Sequence, residues 1–211
     1  MNAINGTGVI LRNATARSCL VLALMVGSCD PSGVVDLGRP IRIFSASNLP
    51  QASWYLEGLV QAIEEVGGYV QNTPDAQVIP LLDTDGGDCE DQNTYQAFVA
   101  LGKAIYICHS LAVRNGSFGK WEVGQLMRHE LGHYLGNRAW HRPCESHLIM
   151  SPTVTCLLCS SYDANGMCTE KVLTYAEDPD AVSYVCDTGY TIGGICAQRG
   201  QPSDAQFQNG R

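Results

Sequence analysis

The sequence has 211 residues, of which 45% are hydrophobic and 16% are charged, and its formal net charge at pH 7 is −8. This balance is typical of a globular chain with a buried core and excludes an intrinsically disordered protein. The acidic surplus also argues against a nucleic-acid partner, because phosphate backbones are bound by clustered lysine and arginine side chains.

The first 28 residues have the features of an export signal. Arg12 and Arg17 precede the apolar run 19–26, which is too short to span a bilayer as a permanent helix. The run leads into Val26-Gly-Ser-Cys29, which resembles a bacterial lipobox, where the chain is cut before a cysteine that then carries lipid. We therefore expect an exported protein that is anchored to a membrane of the cell envelope through lipid on Cys29. If an ordinary signal peptidase cuts nearby instead, the protein is secreted.

The rest of the chain is expected to form one domain between two irregular ends. Residues 29–40 contain prolines, glycines and polar residues typical of a tether, and residues 198–211 are polar and typical of a flexible tail. Residues 41–197 are numerous enough to bury one hydrophobic core, and we expect them to form a monomeric domain.

Apolar runs predict strands at residues 41–44, 78–82 and 104–108. A helix is expected between the first two strands, with Ser47 and Asn48 as capping residues and Pro50 in its first turn. The apolar face of this helix is predicted to contain Leu56, Leu59, Val60, Ile63 and Val66.

A second, longer helix is predicted from Lys120 to Leu135. Its apolar stripe recurs every four residues and consists of Val123, Met127, Leu131 and Leu135. Beyond Gly136 we expect mainly loops, with one short helix near residues 169–176.

The segment 83–94 is predicted to be a polar loop. Its acidic residues are Asp83, Asp85, Asp88, Glu90 and Asp91. Clustered carboxylates can bind calcium, but their spacing does not match an EF-hand, so a solvated acidic loop is the prediction and a calcium site the alternative.

The ten cysteines fit an oxidising compartment. Cys19 leaves with the signal, and Cys29 would carry lipid. The remaining eight are Cys89, Cys108, Cys144, Cys156, Cys159, Cys168, Cys186 and Cys196. An even number in an exported chain predicts up to four disulfides. Because six of the eight lie after residue 140, we expect a C-terminal part with little regular structure that is held together by these bonds.

The segment His129-Glu130-Leu-Gly-His133 carries the strongest chemical signal. Residues four apart lie above one another on a helix, so both imidazoles can bind one zinc ion. Glu130 is turned by about 100° from His129, which places it beside the metal, where a general base belongs.

A catalytic zinc ion needs a third protein ligand. Gly136 is expected to adopt a left-handed conformation that ends the helix and turns the chain back toward the metal. His141 follows, and Met150 comes nine residues later, before a Ser-Pro turn signal. The segment from His129 to Met150 resembles the motif of the metzincin metalloproteases, His-Glu-x-x-His-x-x-Gly-x-x-His followed by a Met-turn.

This resemblance implies an α+β fold with a twisted mixed sheet, a backing helix, an active-site helix and a small C-terminal subdomain. It also implies that the side chain of Met150 lies beneath the metal without binding it. Metzincins bind their substrate along an edge strand, for which residues 104–108 or the loop after them are the candidate.

The sequence departs from the metzincin motif at the third ligand. The motif places a histidine at position 139, which is Ala139 here, and alanine cannot bind zinc. We take His141 as the third ligand, because two additional residues can loop out and its distance from Met150 resembles that in matrixins. Glu145 and His147 are the reserve ligands. His109, at a strand end, is expected at the surface or next to the ligands.

Two of the cysteines permit a different interpretation. Cys156 and Cys159, together with Cys144, resemble the cysteine cluster of archaemetzincins and could hold a structural zinc ion. Their spacings differ from that cluster, so disulfides are the prediction.

Taken together, the residues predict a zinc-dependent endopeptidase that acts on protein or peptide substrates outside the cytoplasm. Its metal ligands would be His129, His133 and His141, with Glu130 as the general base on zinc-bound water. The alternatives are a zinc hydrolase of other substrates and a catalytically inactive, disulfide-rich binding lipoprotein.

Overall fold

The structure is a computed structural model. It describes residues 34–46, 51–84, 89, 97–100, 103–108, 119–139, 141, 149–151, 161, 163–165, 168–170 and 173–199. The predicted signal and Cys29, nearly all of the acidic loop and almost the whole C-terminal tail lie outside these residues. Within them the chain is a mixed α+β protein.

A four-stranded mixed sheet forms the first layer. Its strands are β2 (Ile41–Ser45), β3 (Gln77–Thr84), β4 (Ala97–Ala100) and β5 (Ala104–Cys108). They lie in the order β2-β3-β5-β4; β2, β3 and β5 run parallel, and β4 pairs antiparallel with β5. The three predicted strands are confirmed. Residues 104–108 are not an edge strand, because the unpredicted strand β4 lies outside them. The loop after them, the other candidate for substrate binding, lies outside the described residues.

Helix α1 (Ala52–Glu65) follows β2 and begins later than expected. Gln51 occupies its N-cap without a side-chain hydrogen bond, while Ser47, Asn48 and Pro50 lie outside the described residues. The predicted apolar face is partly wrong, since Leu56 is 37% exposed. The buried residues of the helix and its C-cap are Tyr55, Gly58, Leu59, Ala62, Ile63 and Val66.

Helix α2 (Lys120–Gly136) confirms the second predicted helix and packs against α1, β4 and β5. All residues from Glu122 to Gly136 are buried, including the predicted four-residue stripe. The backbones of the two helices approach closely, because a Cβ atom added to Gly58 would lie 3.2 Å from the Cα atom of Gly124. An ion pair between Arg128 and Glu65 also joins them.

The segment before β2 belongs to the folded part of the chain. Strand β1 (Val35–Asp36) pairs in parallel with β6 (Thr191–Ile192), and Leu37 is 1% exposed. Burial of Leu37 anchors this segment in the core. The ordered domain therefore begins before residue 41, and residues 35–40 are not a free tether.

The C-terminal part has more regular structure than the cysteine spacing suggested. The helix expected near residues 169–176 is a 3-10 helix at Tyr175–Glu177, followed by α3 (Pro179–Cys186) and α4 (Gly194–Ala197). Helix α3 begins here because Asp178 accepts a hydrogen bond from the amide of Ala181 and Pro179 occupies the first turn.

Cysteine pairing agrees with the predicted disulfides where it is described. Cys89 is bonded to Cys108 at the end of β5, and Cys186 at the end of α3 is bonded to Cys196 in α4. Cys168 is also disulfide-bonded.

Within the described part of the chain, no helix is long and apolar enough to cross a membrane.

Candidate metal centre

Helix α2 presents two histidines on the same side, one turn apart. The Nε2 atoms of His129 and His133 are 3.0 Å apart, and both side chains are 6% exposed. This arrangement follows from the i, i+4 spacing, which brings both imidazoles to one face of the helix. The rigid helix therefore fixes two candidate ligands.

His141 is brought to the same point from outside the helix. Its Nε2 atom lies 3.0 Å from that of His133, and its ring stacks nearly parallel to that of His129 with centroids 5.2 Å apart. The three histidines offer ligand atoms that all lie within 4.8 Å of one another. Among the described residues, His141 thus forms a three-histidine cluster with His129 and His133.

The turn that returns the chain to the cluster differs from the expected one. Gly136 is still helical, and Asn137, with φ 48°, is the left-handed residue that ends the helix. Asparagine tolerates this conformation better than most residues do, because its short polar side chain can hydrogen-bond locally. Gly136 is required for another reason: a Cβ atom there would lie 2.8 Å from the Cε1 atom of Tyr184.

Hydrogen bonds on the far side of two rings determine which nitrogen faces the cluster. Nδ1 of His129 lies 2.7 Å from the carbonyl oxygen of Ile149, and Nδ1 of His133 lies 2.8 Å from that of Arg138. A carbonyl oxygen only accepts, so each Nδ1 must carry the proton and donate it. In a neutral ring the Nε2 atom then keeps its lone pair, which is the form that binds a metal.

Burial keeps these rings neutral. Desolvation lowers the pKa of His129 to about 3 and that of His133 to about 4, and it also lowers the pKa of His141. Unprotonated nitrogens that face each other at 3.0 Å repel one another unless a cation lies between them. Nitrogens bound tetrahedrally at 2.0–2.1 Å from zinc would be about 3.3 Å apart. The donor set therefore fits a metal ion.

Glu130, which follows His129 on helix α2, is buried, with an exposed fraction of 3%. Burial raises the pKa of its carboxyl group to about 8. Its Oε2 atom has no hydrogen-bond partner among the described residues. A buried carboxyl oxygen without a partner costs free energy.

Met150 packs against the helix that carries the two histidines. It is 1% exposed, and its Sδ atom lies in the space that a Cβ atom at Gly132 would need. Gly132 therefore leaves the space that the Met150 side chain occupies. The preceding residue, Ile149, supplies the carbonyl that orients His129, so this turn packs on the helix and sets the orientation of one candidate ligand.

Two residues of the site environment were not found from the sequence. Tyr184 contacts His133, and Asp178 accepts a hydrogen bond from the Ile149 amide at 3.0 Å. No spacing in the sequence links either of them to the histidines. The reserve ligands Glu145 and His147, the strand-end residue His109, and Cys144, Cys156 and Cys159 all lie outside the described residues.

No family profile matches the chain, and no curated protein or solved structure shows significant similarity to it. The function is therefore inferred from the arrangement of the residues at the site.

Proposed function

We propose that the chain is a zinc-dependent endopeptidase of the metzincin type. The observation that carries the proposal is the convergence of the Nε2 atoms of His129, His133 and His141. Three imidazole ligands are a set that catalytic zinc sites use, and they leave a coordination position for substrate or water. The metzincin-type motif and the packing of Met150 against α2 at Gly132 favour a protease over other zinc hydrolases.

The residues of the chain have separate roles in this proposal. His129, His133 and His141 hold the metal, and the Ile149 and Arg138 carbonyls fix the tautomers of the first two. A bound zinc ion would supply a Lewis acid that polarises the scissile carbonyl and the attacking water. Glu130 takes a proton from that water and later returns it to the leaving amine.

The environment of Glu130 favours an active enzyme over an inactive binding protein. Glu130 is 3% exposed, and one oxygen of its carboxyl group has no hydrogen-bond partner in the described structure. Burial raises its pKa to about 8, so that once deprotonated it is a stronger base than an ordinary glutamate. An apolar residue of similar size would avoid that unsatisfied oxygen, so the presence of a glutamate favours a chemical role.

The site of action that we propose is outside the cytoplasm. The disulfides Cys89–Cys108 and Cys186–Cys196 support an oxidising compartment, as the signal-like N-terminus does. The proposal includes lipid attachment at Cys29, a protein or peptide substrate, a monomeric state and no nucleic-acid partner.

The test compares the wild-type protein with Glu130→Gln on an unfolded protein substrate. The variant should retain zinc and lose activity by at least about 100-fold, because the base is removed while the ligands remain. Zinc content by mass spectrometry is measured on the same samples. A zinc-loaded wild-type protein that cleaves no peptide bond would contradict the proposal, as would a variant of unchanged activity.

A further inference from the structure

Tyr184, on helix α3, contacts both the candidate ligand His133 and the turn that follows it. Its hydroxyl group donates a hydrogen bond of 2.6 Å to the carbonyl oxygen of Arg138 and lies 3.0 Å from Nδ1 of His133. The same carbonyl accepts from His133 at 2.8 Å. The carbonyl thus has two donors, and the phenol oxygen is a second acceptor for the proton of His133.

A second hydrogen bond joins Arg138 and Tyr184, this time from the arginine side chain to the tyrosine backbone. Nη2 of Arg138 donates to the carbonyl oxygen of Tyr184 at 3.1 Å, and the guanidinium carbon lies 5.1 Å from the centroid of the tyrosine ring. The backbone carbonyl of each residue therefore binds the side chain of the other. Such a reciprocal pair fixes both the position and the orientation of the turn.

The end of α2 is shaped to admit this tyrosine. A Cβ atom at Gly136 would lie 2.8 Å from Cε1 of Tyr184 and 3.0 Å from its carbonyl oxygen, so only glycine permits the observed contact. Thr191 adds a bond of 2.9 Å from its hydroxyl group to the carbonyl of Leu135 in the last turn of the helix. The C-terminal part of the chain therefore holds the helix end where the chain turns toward His141.

We propose that Tyr184 is a positioning residue for the metal centre. Through the Arg138 carbonyl it keeps His133 in the tautomer whose Nε2 binds metal, and with Arg138 it holds the turn from which His141 returns. The chain leaves the helix at Asn137 and reaches His141 eight residues after His133. The position of the His141 ring therefore depends on this turn. This role rests on the metal site of the proposed function, but not on protease activity.

Tyr184→Phe is the direct test, because it keeps the ring in the space next to Gly136 and removes only the hydroxyl group. Zinc affinity, measured by competition with a chromogenic chelator, should fall about 10-fold, as for other groups that orient a metal-binding histidine. The ligand-field absorption of the cobalt-substituted protein should change as well, because the geometry at His133 and His141 is altered.

Tyr175→Phe is the matched control. The Tyr175 hydroxyl group is also buried and donates to a backbone carbonyl of the same helix, at Arg128, with a distance of 2.5 Å. Its removal should lower thermal stability while zinc affinity and the cobalt spectrum stay as in the wild type.

Gly136→Ala serves as a second variant, since it displaces the tyrosine ring without removing its hydroxyl group. It should also weaken zinc binding. If Tyr184→Phe binds zinc as tightly as the wild type, with an unchanged cobalt spectrum, the positioning role is wrong even if stability falls. A wild-type protein that binds no zinc at all contradicts the metal centre itself, and this role with it.

Discussion

The carboxylate of Asp178 accepts a hydrogen bond of 3.0 Å from the backbone amide of Ile149, and both groups are buried. The carbonyl oxygen of Ile149 is the acceptor for His129 at 2.7 Å. The second carboxylate oxygen of Asp178 accepts from the amide of Ala181 and begins helix α3. One side chain therefore links the C-terminal helix to the turn that orients a candidate ligand.

Asp178→Ala should destabilise the protein by about 2–4 kcal/mol, because it removes the cap of α3 and leaves the buried Ile149 amide without a partner. Urea unfolding of the zinc-free protein measures this difference. Asp180→Ala, an exposed aspartate in the first turn of the same helix, should cost less than about 1 kcal/mol. Equal effects of the two substitutions would show that the Ile149 contact is unimportant.

Gly136→Ala should also destabilise the fold, by about 1–3 kcal/mol. Alanine normally stabilises a helical position by about 0.5–1 kcal/mol relative to glycine, so the expected sign is reversed. The reversal follows from Tyr184, whose ring and backbone leave no room for a Cβ atom. Thermal unfolding gives the sign directly, and a variant more stable than the wild type would contradict the observed packing.

The Cys186–Cys196 disulfide closes a segment with a sequence separation of 10 residues between α3 and α4. Replacing both cysteines with alanine should cost roughly 2–3 kcal/mol, in line with the entropy of a short closed loop in the unfolded chain. Thiol titration of the denatured, unreduced wild-type protein should find few free cysteines. Free thiols at Cys186 and Cys196 in protein secreted through an oxidising compartment would count against this pairing.

The helix α2 and three of the strands followed from the sequence because their large apolar residues recur at helical or strand spacing. The same criterion described the buried face of α1 only in part. That face includes Gly58 and Ala62, which are small and add little to a hydrophobic pattern, while the exposed Leu56 adds much. Strand β4 was missed because it has only four residues, too few to show a clear alternation.

The residues of the candidate site were likewise predictable only in part. His129, Glu130 and His133 lie within one helical turn, so their geometry is local and predictable. His141 was identified by chemistry, since alanine at 139 cannot bind metal. Tyr184 and Asp178 come from a distant segment, and only the tertiary structure brings them to the site. The Asp178-Pro179 pair is nevertheless a sequence signal for the start of a helix.

Removal of metal by a chelator should lower the melting temperature of the wild-type protein by about 5–10 °C. Zinc at about 100 times its dissociation constant contributes about 2.7 kcal/mol, and each kcal/mol shifts the midpoint by about 2–4 °C in a domain of this size. Differential scanning fluorimetry with and without the chelator measures the shift. Adding zinc back should restore the original midpoint, whereas a midpoint that the chelator does not change would indicate that no metal is bound.

The central claim is that His129, His133 and His141 hold one zinc ion, and zinc content per chain in the purified protein and in His141→Ala tests it most directly. We expect about one zinc ion per chain in the wild type and in the control His147→Ala. His141→Ala should lose most of its zinc, because two histidines are an incomplete ligand set for catalytic zinc. A wild-type protein without zinc, or a His141→Ala protein that keeps it while His147→Ala loses it, would contradict the account.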